Sequence, residues 1–121
     1  MYDTRLLDHY HHPHHRGHCD SATHTAESIN DSCGDRVRVE LRINAEGQIE
    51  CAAFDGDGCA ISAAAADLLM EHIIQSPRTE LEKMDAHAML ELIGIPLSPP
   101  RIKCALLALE TAQRALQSTR S

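Results

Sequence analysis

The feature that most constrains the fold is a stretch of alternating apolar and charged residues that begins after Asp35. Its apolar positions fall at every second residue, with arginine or glutamate between them: Val37, Val39, Leu41 and Ile43. A period of two places the apolar side chains on one face of a β-strand, which predicts a half-buried strand. A polar turn over residues 44–47 and a second alternating stretch over residues 48–55 follow. Residues 35–55 are therefore predicted to form an antiparallel β-hairpin.

The same alternation assigns the faces of the second strand. Ile49, Cys51 and Ala53 are assigned to its apolar face, so Cys51 is predicted to be a structural residue on the core side. A further strand is weakly indicated over residues 26–30.

The apolar period becomes helical after the glycine-rich stretch Gly56-Asp-Gly58. Apolar residues then recur at every third or fourth position, and prolines or a glycine mark the segment ends. Helices are predicted over residues 2–10, 59–75, 85–92 and 99–117. Helices that cover one face of a small antiparallel sheet of about three strands form an α+β domain, and residues 1–121 are expected to form a single one.

Charge and hydropathy argue against two classes of partner. The net charge of −7 disfavours binding to a nucleic-acid backbone, which needs a basic surface. The apolar runs fall far short of the roughly 18 residues that a membrane span needs, and the start of the chain lacks the apolar core of a signal peptide. We therefore expect a cytoplasmic protein with neither a nucleic-acid nor a membrane partner. In that reducing compartment its five cysteines are expected to be thiols or metal ligands rather than disulfides.

Three of the five cysteines lie at boundaries of the predicted elements. Cys33 precedes the first secure strand, Cys59 opens a helix after a glycine-rich turn, and Cys104 lies near the start of the last helix. Free amide N–H groups at a helix N-terminus favour the thiolate that a metal ligand or a sulfur nucleophile needs. One cysteine alone is more often a small buried hydrophobe, and Cys51 fits that interpretation. The joint placement of the other three favours a shared site, while Cys19 has no assigned role.

The last helix is predicted to bury one apolar face, formed by Ile102, Leu106, Leu109, Gln113 and Leu116. At about 100° per residue Cys104 lies on a different face of this helix. That placement leaves Cys104 free to line a site.

Short motifs around the cysteines resemble those of the IscU/NifU-type family of iron–sulfur cluster assembly scaffolds. Four segments match in order and with compatible gaps, and together they cover nearly the whole chain. They are Asp8-His-Tyr10 followed by Pro13 and Gly17, Cys33-Gly-Asp35, Gly58-Cys59 followed by Ile61-Ser62, and Pro99-Pro-Arg-Ile-Lys-Cys104. The resemblance implies an IscU/SufU-like fold and one metal or cluster site, formed by Cys33, Asp35, Cys59 and Cys104.

The function implied by the resemblance is that of a scaffold. Such a protein receives sulfur from a cysteine desulfurase and transfers a nascent cluster to apo iron–sulfur acceptor proteins. The expected cofactor is an iron–sulfur cluster with two irons and two sulfides, and zinc is the alternative or resident ion. A scaffold of this kind is not an enzyme.

Two departures from the IscU branch keep alternatives open. Lys103 stands where that branch usually has a histidine, and a protonated lysine is a poor ligand, which leaves Asp35 as the fourth ligand. Arg-Ile-Lys-Cys104 resembles instead the SufU branch of zinc-dependent sulfur-transfer proteins, in which Cys104 would accept persulfide sulfur. The insertion that this branch usually carries between its second and third cysteines is missing here. A structural zinc-binding interaction module is a third alternative.

Two further segments bear on possible partners and on a second metal site. Leu97-Ser-Pro-Pro-Arg101 replaces the chaperone-recognition motif of the IscU branch, so we do not expect a chaperone partner. Six histidines within residues 9–18 admit two interpretations, an exposed loop or an independent metal site.

Overall fold

The computed structural model describes residues 4–30 and 34–118 and contains five helices and three strands within them. In chain order these are α1 (Thr4–His11), β1 (His24–Asn30), β2 (Asp35–Ile43), β3 (Ile49–Asp57), α2 (Ala60–Ile73), α3 (Arg78–Lys83), α4 (Ala86–Ile93) and α5 (Pro99–Leu116). The strands form one antiparallel sheet in the order β1-β2-β3. This confirms the predicted α+β class, with a three-stranded sheet and helices packed on it.

One helix, α3, was not predicted. It is six residues long, and Leu81 is its one buried residue. A single buried position produces no periodicity, which explains why the sequence pattern does not reveal it. No helix within the described residues is both long and apolar enough to cross a bilayer.

The hairpin is confirmed, and Ile49 is buried in the core as predicted, but the predicted faces of β3 are wrong from Cys51 onward. Val39 lies opposite Phe54, and the register shifts between Arg42, opposite Cys51, and Ile43, opposite Ile49. Glu50 is thus an extra residue in β3, a β-bulge that reverses which side chains face the core. Ala52 and Phe54 are consequently buried in the core. Cys51 lies on the opposite face of the sheet.

That opposite face is crossed by residues 15–23, here called the strap. The strap begins beside β3, where Gly17 N–H donates to the Phe54 carbonyl at 2.8 Å. It ends beside β2, where Thr23 N–H donates to the Leu41 carbonyl at 2.8 Å. Between these points Cys19 forms a disulfide with Cys51. The expectation that all five cysteines are thiols or metal ligands is therefore wrong for this pair, and Cys19 has a structural role.

The helix α5 buries side chains over a larger part of its circumference than the single apolar face that was predicted. Its buried residues include Cys104, Ala105, Ala108, Thr111, Ala112 and Ala115. The predicted core face is therefore wrong in part, because Ile102, Leu106 and Gln113 are only half-buried. The cause is the position of α5, which contacts the sheet, α2 and α4 at once. Small side chains face these neighbours, since they allow the backbones to approach closely.

A buried carboxylate fastens α1 and the histidine-rich segment to α2. Asp67 is fully buried, and its Oδ2 lies 2.5 Å from Nδ1 of His9. Its Oδ1 accepts the N–H of His15 at 2.8 Å. Both oxygens of this buried group are thereby satisfied, as burial of a carboxylate requires. His9 belongs to this anchor rather than to an exposed loop.

We predict that Gly56→Ala destabilises the fold far more than Gly47→Ala. Both glycines have positive φ, +147° and +82°, so both substitutions impose backbone strain. A Cβ at Gly56 would lie 1.9 Å from the Arg36 carbonyl oxygen, whereas the nearest atoms to one at Gly47 are Arg78 side-chain carbons at 3.9 Å. We expect losses of about 3 kcal/mol or more and about 1 kcal/mol, respectively, in urea unfolding. Equal losses would show that β2 and β3 separate easily at this point.

Candidate metal centre

Three potential metal ligands converge at one end of the sheet. They are Asp35, Cys59 and Cys104, whose ligand atoms all lie within 4.8 Å of one another. Asp35 is the first residue of β2, Cys59 is the N-cap of α2, and Cys104 lies in the second turn of α5. Three elements distant in sequence thus each contribute one donor. The fourth predicted site residue, Cys33, lies outside the described residues.

The position of Cys59 depends on the glycine that precedes it. A Cβ at Gly58 would lie 2.9 Å from Oδ1 of Asp35 and 3.3 Å from the Cβ of Ser62. The chain can therefore pass this close to the carboxylate only with glycine at position 58. The resulting turn places the Cys59 backbone in an extended conformation at the start of α2.

Asp35 is held rigidly in this site. Its side chain is 2% exposed, and its Oδ1 accepts the Cys59 N–H at 3.0 Å. Its Oδ2 accepts the hydroxyl of Ser62. The carboxylate thus satisfies a free N–H at the start of α2, which is a capping role. Ser62 belongs to the motif Gly58-Cys59 followed by Ile61-Ser62, but the sequence pattern does not reveal that it is a hydrogen-bond partner of Asp35.

The two described thiols differ in exposure. Cys104 is 5% exposed, whereas Cys59 is half-buried. The Sγ of Cys59 lies 3.6 Å from the hydroxyl of Ser62. Cys59 is therefore the more accessible sulfur of the pair.

The spacing of the donors suits a tetrahedral ion. The Sγ of Cys59 lies 3.7 Å from Oδ2 of Asp35. Ligand bonds of about 2.3 Å to sulfur and about 2.0 Å to oxygen place two tetrahedral donors about 3.5 Å apart. Thiolates with one carboxylate form a donor set that zinc and iron both accept. The residues present therefore fit a zinc ion as well as an iron–sulfur cluster.

A cavity of about 330 Å³ opens beside Cys59. Its lining includes Tyr10, Arg16, Arg36, Phe54, Gly58 and Ser62. The strap residue Arg16 donates from Nη2 to the Gly56 carbonyl at 2.8 Å and lies 3.4 Å from Asp55. The hydrogen bond from the Gly56 N–H has the largest effect on Asp55 and lowers its pKa, and the Arg16 guanidinium lowers it further. Asp55 is therefore ionised at neutral pH. Cys59 is not among the lining residues, but Gly58 and Ser62, on either side of it in the sequence, are.

Of the residues that the structure describes, the remaining candidates from the sequence do not contribute a ligand atom to the group formed by Asp35, Cys59 and Cys104. Lys103 is exposed, next to the nearly buried Cys104. Cys19 and Cys51 are bonded to each other. Among the described residues, the histidine-rich segment forms no group of three converging metal-ligand atoms.

Comparison with known proteins identifies the family to which this chain belongs. The family model described as NifU-like N terminal domain matches residues 1–120. The iron–sulfur cluster assembly scaffold protein IscU of Thermotoga maritima is 33% identical, over 97% of this chain and 93% of that protein. The zinc-dependent sulfurtransferase SufU of Bacillus subtilis is 25% identical, over 96% of this chain and 89% of that protein.

A solved structure has the same fold. It is described as a scaffold protein for the SUF system from Fervidobacterium islandicum AW-1, and the match has a TM-score of 0.79. The two chains are 27% identical, and the match covers 95% of this chain and 96% of that one. The resemblance drawn from the cysteine motifs is therefore confirmed, and the chain belongs to the NifU-like N-terminal domain family.

Proposed function

We propose that this chain is an iron–sulfur cluster assembly scaffold. It receives sulfur from a cysteine desulfurase, holds a nascent cluster and transfers it to apo iron–sulfur acceptor proteins in the cytoplasm. The observation that supports this function best is the convergence of Asp35, Cys59 and Cys104 within 4.8 Å. The family relationship to IscU and SufU proteins supports it independently.

The proposed ligand set is Cys33, Asp35, Cys59 and Cys104. Cys33 is two residues before Asp35 in the sequence, and the resemblance to the family assigns it as a ligand. Four ligands give two to each iron of a cluster with two irons and two sulfides, which completes a tetrahedron at each metal. We therefore propose this cluster as the cargo.

Asp35 is the ligand that makes the cargo exchangeable. Iron–sulfur clusters are held by thiolates, and a carboxylate is a weaker substitute. Both oxygens of Asp35 already accept hydrogen bonds, from the Cys59 N–H and the Ser62 hydroxyl. These bonds withdraw electron density from the carboxylate and weaken it further as a donor. The three thiols would hold the cargo, while Asp35 gives way during transfer.

Sulfur is proposed to enter from the cavity beside Cys59. A persulfide of the desulfurase is anionic, and the guanidinium groups of Arg16 and Arg36 line this cavity. Attack by a thiolate of the scaffold on the outer sulfur breaks the persulfide bond. The outer sulfur moves to the scaffold, and the desulfurase cysteine leaves as a thiolate. Cys59 is the more exposed of the two described thiols and is therefore proposed to make this attack.

A second candidate is zinc-dependent sulfur transfer, which Lys103 favours because it replaces a ligand histidine. The same four residues would hold the zinc, whose charge keeps the thiols deprotonated when it is bound. In this alternative Cys104 accepts the sulfur. Since Cys104 is only 5% exposed, its side chain would have to turn outward first. A third candidate, a structural zinc module, requires a zinc ion that never leaves.

Anaerobic reconstitution with ferrous iron, cysteine and a cysteine desulfurase separates these candidates. Absorption and Mössbauer spectra would identify a cluster, and an apo-ferredoxin would report its transfer. A scaffold is expected to yield a cluster that transfers. Resident zinc with faster desulfurase turnover would contradict the scaffold in favour of sulfur transfer. Resident zinc with no effect on turnover would contradict both.

We predict that the protein binds up to one zinc per chain at this site. Replacement of Cys33, Cys59 or Cys104 by serine should each abolish stoichiometric zinc, because a neutral hydroxyl replaces a thiolate. Metal analysis after gel filtration measures the stoichiometry. Cys51→Ser is the matched control, since Cys51 is bonded to Cys19 and lies outside the site. Loss of zinc in Cys51→Ser, with retention in the other three, would refute the assignment.

We predict that Asp35→Asn and Asp35→Ala both permit a cluster but slow its transfer to apo-ferredoxin. Both remove the exchangeable carboxylate, and both leave the three thiols. They differ in stability, because Asn keeps an oxygen for the Cys59 N–H, whereas Ala loses the cap at a cost of about 1 kcal/mol. Transfer kinetics and urea unfolding together separate the two roles. Unchanged transfer by both variants would limit Asp35 to capping α2.

A further inference from the structure

We propose that Cys19 and Cys51 form a redox modification site separate from the metal-binding thiols. Their reversible disulfide fastens the strap to the sheet and thereby fixes one wall of the cavity beside Cys59. Reduction would loosen the strap between its backbone attachments to the sheet and thereby increase access to Cys59.

The fold holds the two cysteines close together by contacts other than the disulfide. Their Cα atoms are 6.0 Å apart, within the usual range for a disulfide, although 32 residues separate them in sequence. Cys19 is positioned by Glu40, whose Oε1 accepts the Cys19 N–H at 3.0 Å. Cys51 is positioned by the bulge in β3, which turns it towards the strap. Reduction would thus leave the two thiols near each other, and the bond could form again.

Glu40 provides a second attachment for the strap. It is nearly buried, and its Oε2 lies 2.9 Å from Nδ1 of His18 and also contacts Arg38. Burial raises the pKa of Glu40, but His18, the Cys19 N–H and Arg38 outweigh it and hold the pKa below the usual value. The carboxylate therefore stays ionised at neutral pH. The strap would loosen on reduction without leaving the sheet altogether.

The strap connects this disulfide to the cavity through Arg16. Arg16 lies three residues before Cys19, and its guanidinium contacts Gly56, Asp55 and the Phe54 ring. Gly56 lies three residues before Cys59. A disulfide that holds Cys19 therefore limits the motion of Arg16, which lines the same cavity as Gly58 and Ser62, the residues on either side of Cys59 in the sequence.

The exposure of the two residues indicates how the bond would open. Cys51 is half-buried and Cys19 is 5% exposed, so an incoming thiolate reaches Sγ of Cys51 first. That attack releases Cys19 as a thiolate and leaves a mixed disulfide on Cys51. A second small thiol then attacks the mixed disulfide, which frees Cys51 and releases a small disulfide. In the reverse direction a small disulfide oxidises both thiols and is reduced to two small thiols.

A reversible bond is the form expected in a reducing compartment. Disulfides of cytoplasmic proteins are usually transient or redox-sensing rather than permanent. The two cysteines lie on the face of the sheet away from the core helices, so the bond can open without disturbing the buried Cys104.

The first test maps the disulfide. The protein, free of metal, is equilibrated with reduced and oxidised glutathione at a series of ratios, quenched by acid and alkylated. Mass spectrometry of peptides is expected to show Cys19 linked to Cys51 at oxidising ratios, and both cysteines alkylated at reducing ratios. Absence of this pair at every ratio, or pairing of either cysteine with a third, would overturn the proposal.

The second test measures the consequence for the cavity. Residue-resolved alkylation of Cys59 by iodoacetamide is expected to be several-fold faster in the reduced protein, and backbone hydrogen exchange in residues 15–23 should also increase. Cys19→Ser should show the fast rate in either state, because it cannot form the bond. Equal rates in oxidised and reduced wild-type protein would overturn the coupling. Neither test contains a metal or a desulfurase, so its failure is distinguishable from failure of the proposed scaffold function.

Discussion

The site is organised around the buried carboxylate of Asp35. A buried carboxylate is unstable unless its oxygens are hydrogen-bonded, and here the partners are the Cys59 N–H and the Ser62 hydroxyl. Both partners belong to the first turn of α2, so satisfying Asp35 fixes the start of that helix against the start of β2. Cys59 is thereby placed beside Asp35, and Gly58 is the residue that lets the chain pass so near. The geometry of the site thus follows from one polar interaction between a strand and a helix.

The alanine-rich core supports this interaction by bringing the third element close. The helices α2 and α5 pack against each other, and their buried core residues include the alanines Ala64, Ala65, Ala108 and Ala112. Close approach of these backbones places Cys104 beside the other two donors. Since packed interiors tolerate little change of volume, a larger residue on this surface would move Cys104 away from Asp35. The scarcity of aromatic residues in the sequence is consistent with this close packing.

Much of this arrangement could be predicted from the sequence, and the errors have physical causes. Strict alternation correctly predicted the faces of β2 and the burial of Ile49. The extra residue Glu50 reversed the faces of β3 after that point, and a bulge leaves no mark in a pattern of apolar residues. The disulfide between Cys19 and Cys51 was missed for the same reason. The core face of α5 was wrong in part because alanines carry little weight in an apolar stripe, although they form its closest contacts. The partnership of Asp35 with Ser62 was not foreseen, since it depends on a contact between distant elements.

The most direct test of the central claim, that three cysteines and Asp35 form one site, is zinc K-edge X-ray absorption on the zinc-loaded protein. The account predicts three sulfur ligands at about 2.3 Å and one oxygen at about 2.0 Å. Asp35→Ala should remove or replace the protein oxygen and leave the three sulfurs. A shell of imidazole nitrogens would place the metal in the histidine-rich segment instead. Four sulfur ligands would mean that Cys19 or Cys51, which the structure assigns to the disulfide, also binds the metal. Either result would contradict the account.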